Sequence, residues 1–127
     1  MPRKLISSGS YLEPEIGFSR AVRVGQFVAV AGTAPIAAAG GTAPSDVYGQ
    51  TIRCLEIIGK AVAAAGGTTS NIIRTRIMLT DISSWRDAAR AHGEVFREIR
   101  PASTFVQVSG FIDPTWLVEI EADCVVE

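Results

Sequence analysis

Hydrophobic residues recur along this chain with two different periods, and the switches between them mark out the elements. Positions 21–24 and 27–31 are short runs rich in valine, and the Gly25-Gln26 pair between them predicts a hairpin with a two-residue turn. Glycine leads that turn, which suits the type requiring positive φ at its first central position. Gly32 ends the second strand, and 37–44, rich in alanine and glycine, has no periodic face and reads as a loop. The period then lengthens. Val47, Thr51, Leu55, Ile58, Val62 and Ala65 fall at three- and four-residue steps, the spacing of one helix face. Ser45 and Asp46 can cap that helix, and Gly66-Gly67 stops it.

Alternation returns over 71–80, where Ile73, Thr75, Ile77 and Leu79 point one way and Arg74, Arg76 and Met78 the other. Ser84-Trp85-Arg86-Asp87 fits a capping box with aspartate as its acid, and Trp85, Ala88, Ala89, His92, Val95, Phe96 and Ile99 form the stripe of a second helix ending before Pro101. Strands at 103–108 and 117–126 close the chain, with Val118, Ile120, Ala122 and Cys124 opposite Glu119, Glu121 and Asp123. Two β-α-β units therefore follow an N-terminal hairpin, and right-handed crossovers set both helices on one side of the sheet. The other face is expected to carry Arg74, Arg76, Gln107, Glu119, Glu121 and Asp123 together with Met78 and Phe105. Charges of both signs mixed with large apolar groups suit a subunit interface, and a closed ring of such sheets would cover them.

Composition narrows the function. The 127 residues are expected to form one domain, 1–127, and 47% hydrophobic content at a net charge of −1 suits a sizeable core. The twelve basic residues are scattered, so no nucleic-acid footprint is visible, and no apolar run approaches bilayer length. With no signal-peptide pattern, a soluble cytoplasmic protein is the expectation. Cys54 and Cys124 read as small buried apolar residues, and one histidine with two isolated cysteines gives no metal spacing. His92-Gly93-Glu94 echoes a zinc-deaminase motif but lacks the cysteine pair that would complete it, so His92 reads as a packed residue. Arg20 and Arg23, beside the hairpin, read as solvated.

Four segments together resemble the RidA (YjgF) family: Ile16-Gly17-Phe18-Ser19-Arg20-Ala21-Val22, Val30-Ala31-Gly32-Thr33-Ala34-Pro35, Arg74-Thr75-Arg76-Ile77-Met78-Leu79-Thr80-Asp81, and Arg100-Pro101-Ala102 through Val118-Glu119-Ile120-Glu121-Ala122. With their spacing they cover nearly the whole chain. The resemblance implies an α+β, chorismate-mutase-like fold, a mixed β-sheet with two helices packed on one face, assembled as a homotrimer with a ligand pocket at each junction between subunits. It implies hydrolysis of 2-imino or 2-enamino acids to keto acids and ammonia without a cofactor. Relatives also carry an endoribonuclease label, which no basic groove or metal site in this sequence supports.

Carried over residue by residue, the resemblance makes Gly32 a close backbone wall of the pocket and Glu119 the carboxylate that positions or activates water. Phe18 replaces a pocket tyrosine, Phe105 a frequent cysteine, and Trp116 lies on a loop as pocket wall or interface anchor. Ser103 replaces the arginine that clamps a substrate carboxylate. A guanidinium fork binds a carboxylate through two charge-assisted bonds, whereas serine offers one uncharged hydroxyl. Arg76 is the candidate replacement clamp, expected on the same face as Ser103 and Glu119, with an ion pair to Glu119 or Glu121 as its plainer role. Two functions follow as expectations: a small-molecule-handling protein with weak or altered hydrolysis of imine-type, small polar metabolites, or a non-catalytic ligand-binding or regulatory trimer.

Overall fold

The computed structural model describes residues 2–127. The elements run β1 (Arg3–Ile6), α1 (Leu12–Ile16), β2 (Ala21–Val24), β3 (Phe27–Thr33), α2 (Val47–Ala64), β4 (Ile72–Leu79), α3 (Trp85–Phe96), β5 (Ala102–Gln107) and β6 (Val118–Val125). One six-stranded sheet takes the order β1-β2-β3-β6-β4-β5, parallel only between β4 and β5. The α3 crossover joins neighbouring parallel strands. The α2 crossover leaves a gap that β6 fills, pairing antiparallel with both β3 and β4. This is the α+β mixed sheet expected from the sequence, with α2 and α3 packed together against it.

Local chemistry explains the boundaries. Gly25 has φ 62° and leads the hairpin turn, as its position between two strands requires. Asp46 caps α2, its carboxylate accepting from Gly49 N at 3.0 Å. Leu55, Ile58 and Val62 on α2 bury against Val28, Val30, Ile77, Leu79, Val118 and Ile120. Cys54 and Cys124 are free and fully buried, and burial pushes the Cys124 thiol up to about 11.

Several expectations need correction. β1 and α1 carry too few periodic positions to be read from the sequence. Trp85 does not pack at the start of α3: it is exposed, with Arg86 over its ring. Ser84 makes no side-chain cap, and Asp81 instead organises the preceding turn through Ser83 N and Oγ. In β4 an irregularity between Ile72 and Arg74 buries Ile72 and leaves Ile73 half exposed. In β5 the parity is opposite to that expected. Phe105 and Gln107 pair with Ile77 and Leu79 and so lie on the helix side, while Thr104 and Val106 take the open face. Apolar residues alternate on both faces of that short strand, so pattern alone does not fix its register. Arg23 is not solvated either: its guanidinium donates to the Ala65 carbonyl at 2.6 Å, satisfying the end of α2.

Candidate functional site

Glu119 lies on β6 between buried Val118 and Ile120, so strand alternation turns it away from the helices. It is half-buried, and among the described residues it makes neither a hydrogen bond nor an ion pair. Burial raises its pKa above the ordinary 4.5, and the nearby Arg20 charge pulls the other way. Gly32 sits beneath it at the bulge where β3 shifts register against β6. A Cβ at Gly32 would lie 3.2 Å from Glu119 Oε1, so the missing side chain is what lets the carboxylate settle there.

Arg20 completes this cluster and is the residue the sequence reading missed. Only 5% exposed, it donates through Nη1 to the Gly32 carbonyl at 2.7 Å and to Thr33 Oγ1 at 3.1 Å. Its Nε is buried without a partner. Phe18 stands beside it, the guanidinium carbon 5.3 Å from the ring centroid. The available signal was position: an arginine directly before a strand whose next residue, Ala21, is core.

Ser103 and Phe105 belong to a second cluster, on the helix side of β5. Thr75 Oγ1 lies 2.7 Å from Ser103 Oγ and 2.8 Å from His92 Nε2. Ser103 Oγ also reaches the Pro101 carbonyl at 3.2 Å. Either proton direction satisfies the chain: Ser103 to Thr75 to a bare Nε2, or Nε2–H to Thr75 to Ser103 to Pro101. His92 packs on Phe96 at 4.5 Å and meets Phe105 edge-on at 6.1 Å, and burial lowers its pKa. These residues border an open groove that Arg97 and Arg100 also line.

The two clusters do not converge within one chain. Arg76 pairs with Thr104, not Ser103, so it shares the open face with Glu119 and lies on the opposite face from Ser103. Its guanidinium forms an ion pair with Glu121, and Arg74 lies 3.7 Å from Asp123. Arg76 is therefore no substitute for a cation at position 103 of the same chain. Trp116 lines a cavity of about 710 Å³ with Tyr11, Pro35 and Ile112, away from both clusters. Among the described residues, no group of three or more metal-ligating side chains is placed to hold a metal, and no helix is long and apolar enough to cross a membrane.

Comparison with known proteins adds a lineage. A family model described as endoribonuclease L-PSP matches residues 9–126. A Streptomyces coelicolor protein is 36% identical over 118 residues, covering 93% of this chain and 88% of its own. The crystal structure of a Mycobacterium tuberculosis member of the YjgF/YER057c/UK114 family superposes with a TM-score of 0.91 at 43% identity, covering 98% of this chain and all of that one. Escherichia coli TdcF, solved with bound serine, gives a TM-score of 0.81 at 26% identity over 97% of this chain and 93% of that one.

Proposed function

The chain belongs to the endoribonuclease L-PSP (YjgF) family, and from that premise we propose that it handles small polar metabolites in pockets formed between copies of itself, hydrolysing imine-type compounds with Glu119 as the proton-transferring group. The observation that carries this reading is the Glu119 carboxyl: half-buried, without a hydrogen bond or ion pair among the described residues, raised in pKa, and seated over a glycine that leaves it room. A general acid–base works best with a pKa near working pH, and burial moves Glu119 in that direction. In the reaction, Glu119 accepts a proton from water as the water oxygen bonds to the imine carbon. That proton passes to nitrogen to give a carbinolamine. Glu119 then takes the new hydroxyl's proton and hands it to the same nitrogen, so that the C–N bond breaks as the C=O bond forms and ammonia leaves a carbonyl product.

The pocket would draw its second wall from another copy, since Ser103 and Phe105 stand on a different face from Glu119. Serine at position 103 offers no charge, so binding of a carboxylate at that wall is expected to be weak. That Ser103 is already hydrogen-bonded to Thr75 and Pro101 favours the second reading, a non-catalytic ligand-binding or regulatory trimer.

The experiment couples the purified protein to an amino-acid oxidase and follows the released imine by semicarbazide trapping. Shortened imine lifetime, lost in Glu119→Gln and kept in Arg76→Ala, is the expected result. An unchanged lifetime at every protein concentration would leave the binding reading in its place.

A further inference from the structure

A cavity of about 260 Å³ lies on the helix side of the sheet, between the 8–10 loop, the end of β3 and α2. Two guanidinium groups, Arg20 and Arg53, line it, with the hydroxyls of Ser8, Ser10 and Thr33. Among the described residues no carboxylate lines it. The nearby Glu13 is turned to Ser8, accepting from its backbone N at 3.1 Å and its hydroxyl at 2.7 Å. Arg53 is fixed from behind, its Nε donating to the Ile36 carbonyl at 2.6 Å, with Glu56 3.5 Å from Nη1. The remaining wall is apolar, built from Ile36, Ile57 and three alanines. A second cavity shares Arg20, Arg53 and Ile57 and adds Lys60, so cations line both.

Arg20 makes this more than a dent between elements. A guanidinium that is 95% withdrawn from solvent normally has its donors fully engaged, because an unpaired buried charged donor costs several kcal/mol on general grounds. Here Nη1 is bonded twice, and among the described residues Nε has no hydrogen-bond partner and no carboxylate forms an ion pair with the guanidinium. Glu13 and Glu119 reach its charge only through space, without an ion pair, so an anion in the cavity would supply a direct partner. The volume is below the roughly 300–1,000 Å³ of drug-sized pockets, and the apolar wall asks for carbon next to the charge.

We propose that this cavity binds a small monocarboxylate with a short aliphatic chain, its carboxylate held by Arg20 and Arg53 and its tail against Ile36 and Ile57. A planar carboxylate matches a guanidinium fork, and the alkyl wall gives nothing to a bare oxyanion. This site does not depend on the Glu119 chemistry, since Glu119 does not line it.

The test is a ¹⁵N-HSQC titration with sodium butyrate, butyramide and inorganic phosphate in parallel. Butyrate should give saturable shifts confined to amides 8–10, 33, 34, 36, 37 and 53–57, and butyramide none. Arg20→Gln should lower butyrate affinity at least tenfold. If that variant does not fold, Arg53→Gln, at a side chain 19% exposed, should still lower it several-fold. Glu119→Gln should leave binding undiminished, which separates this site from the imine chemistry. Equal binding of butyrate and butyramide, tighter binding of phosphate than butyrate, absence of saturable shifts, or unchanged affinity in Arg53→Gln would each overturn the assignment.

Discussion

Glu119 and Gly32 act as a pair, and each can be probed through the other. Burial holds the Glu119 carboxyl above its ordinary 4.5, so the folded protein grips that proton more tightly than the unfolded chain. The stability this proton provides is complete below 4.5 and is lost as pH rises through the higher folded value. Above that value the ionised, half-buried carboxylate is a constant cost. Glu119→Gln should therefore melt at a higher temperature than wild type at pH 7, with the gap closing as pH falls towards 4.5. Calorimetry across that range checks it, and a gap that widens on acidification would contradict the sign. Gly32→Ala presses on the same group from below. Its new methyl would stand 3.2 Å from Oε1, so the carboxylate must give way by a few tenths of an ångström. Overpacking of that kind costs about 1–3 kcal/mol, readable as a lower urea midpoint with an unchanged m-value. The same variant should lose imine hydrolysis out of proportion to its stability.

At the scale of elements, Thr75 ties three of them together. From β4 its hydroxyl reaches His92 on α3 and Ser103 on β5. Thr75→Val keeps the shape and removes both bonds, leaving part-buried His92 Nε2 without its partner while Ser103 keeps the Pro101 carbonyl, so a loss of about 1–3 kcal/mol is expected by chemical denaturation. His92 adds a pH signature. Its pKa is lowered from 6.5 by burial, so its contribution is present above 6.5 and is lost as pH falls through the folded value. His92→Gln should flatten wild-type stability between pH 7 and 5, and an unchanged slope would show that another group sets it. The sequence made α2, α3, the hairpin and β6 readable because their periodicity is clear and their stops are explicit. It placed His92 on the packed stripe for the same reason. β5 was not readable to its faces: Phe105-Val106-Gln107-Val108 offers apolar groups to both sides, and only pairing with Ile77 and Leu79 decides between them. That one-residue ambiguity moved Ser103 away from Arg76. Arg20 escaped for another reason. Charge beside a hairpin reads as solvent-facing, and only the closure of β3 over it, with Gly32 and Thr33 as acceptors, shows that it is buried.

For the whole molecule, the proposed pocket between copies makes the sheet's uncovered face the place where the Glu119 site would be completed. α2 and α3 cover one side, while Leu5, Val24, Phe27 and Val106 stand exposed on the other beside the Arg74–Asp123 and Arg76–Glu121 pairs. Surface ion pairs in water contribute little to folding, so in the proposed assembly those charges would set the register of the contact. A pocket requiring both Glu119 and Ser103 cannot form in a lone chain, because the two lie on opposite faces. Assembly and chemistry are thus expected to fail together. Arg76→Glu sets a third carboxylate beside Glu119 and Glu121 on that face, a like-charge cluster that an interface would have to desolvate. Light scattering should give three times the 13.5 kDa chain mass for wild type and a shift towards the single-chain mass for Arg76→Glu. Circular dichroism should stay unchanged, because the core on the helix side is untouched. Imine hydrolysis should disappear in step with the trimer as protein concentration is lowered. A wild-type protein that is monomeric and active, or a dissociated variant that keeps its activity, would place the whole site within one chain and require another partner for Glu119.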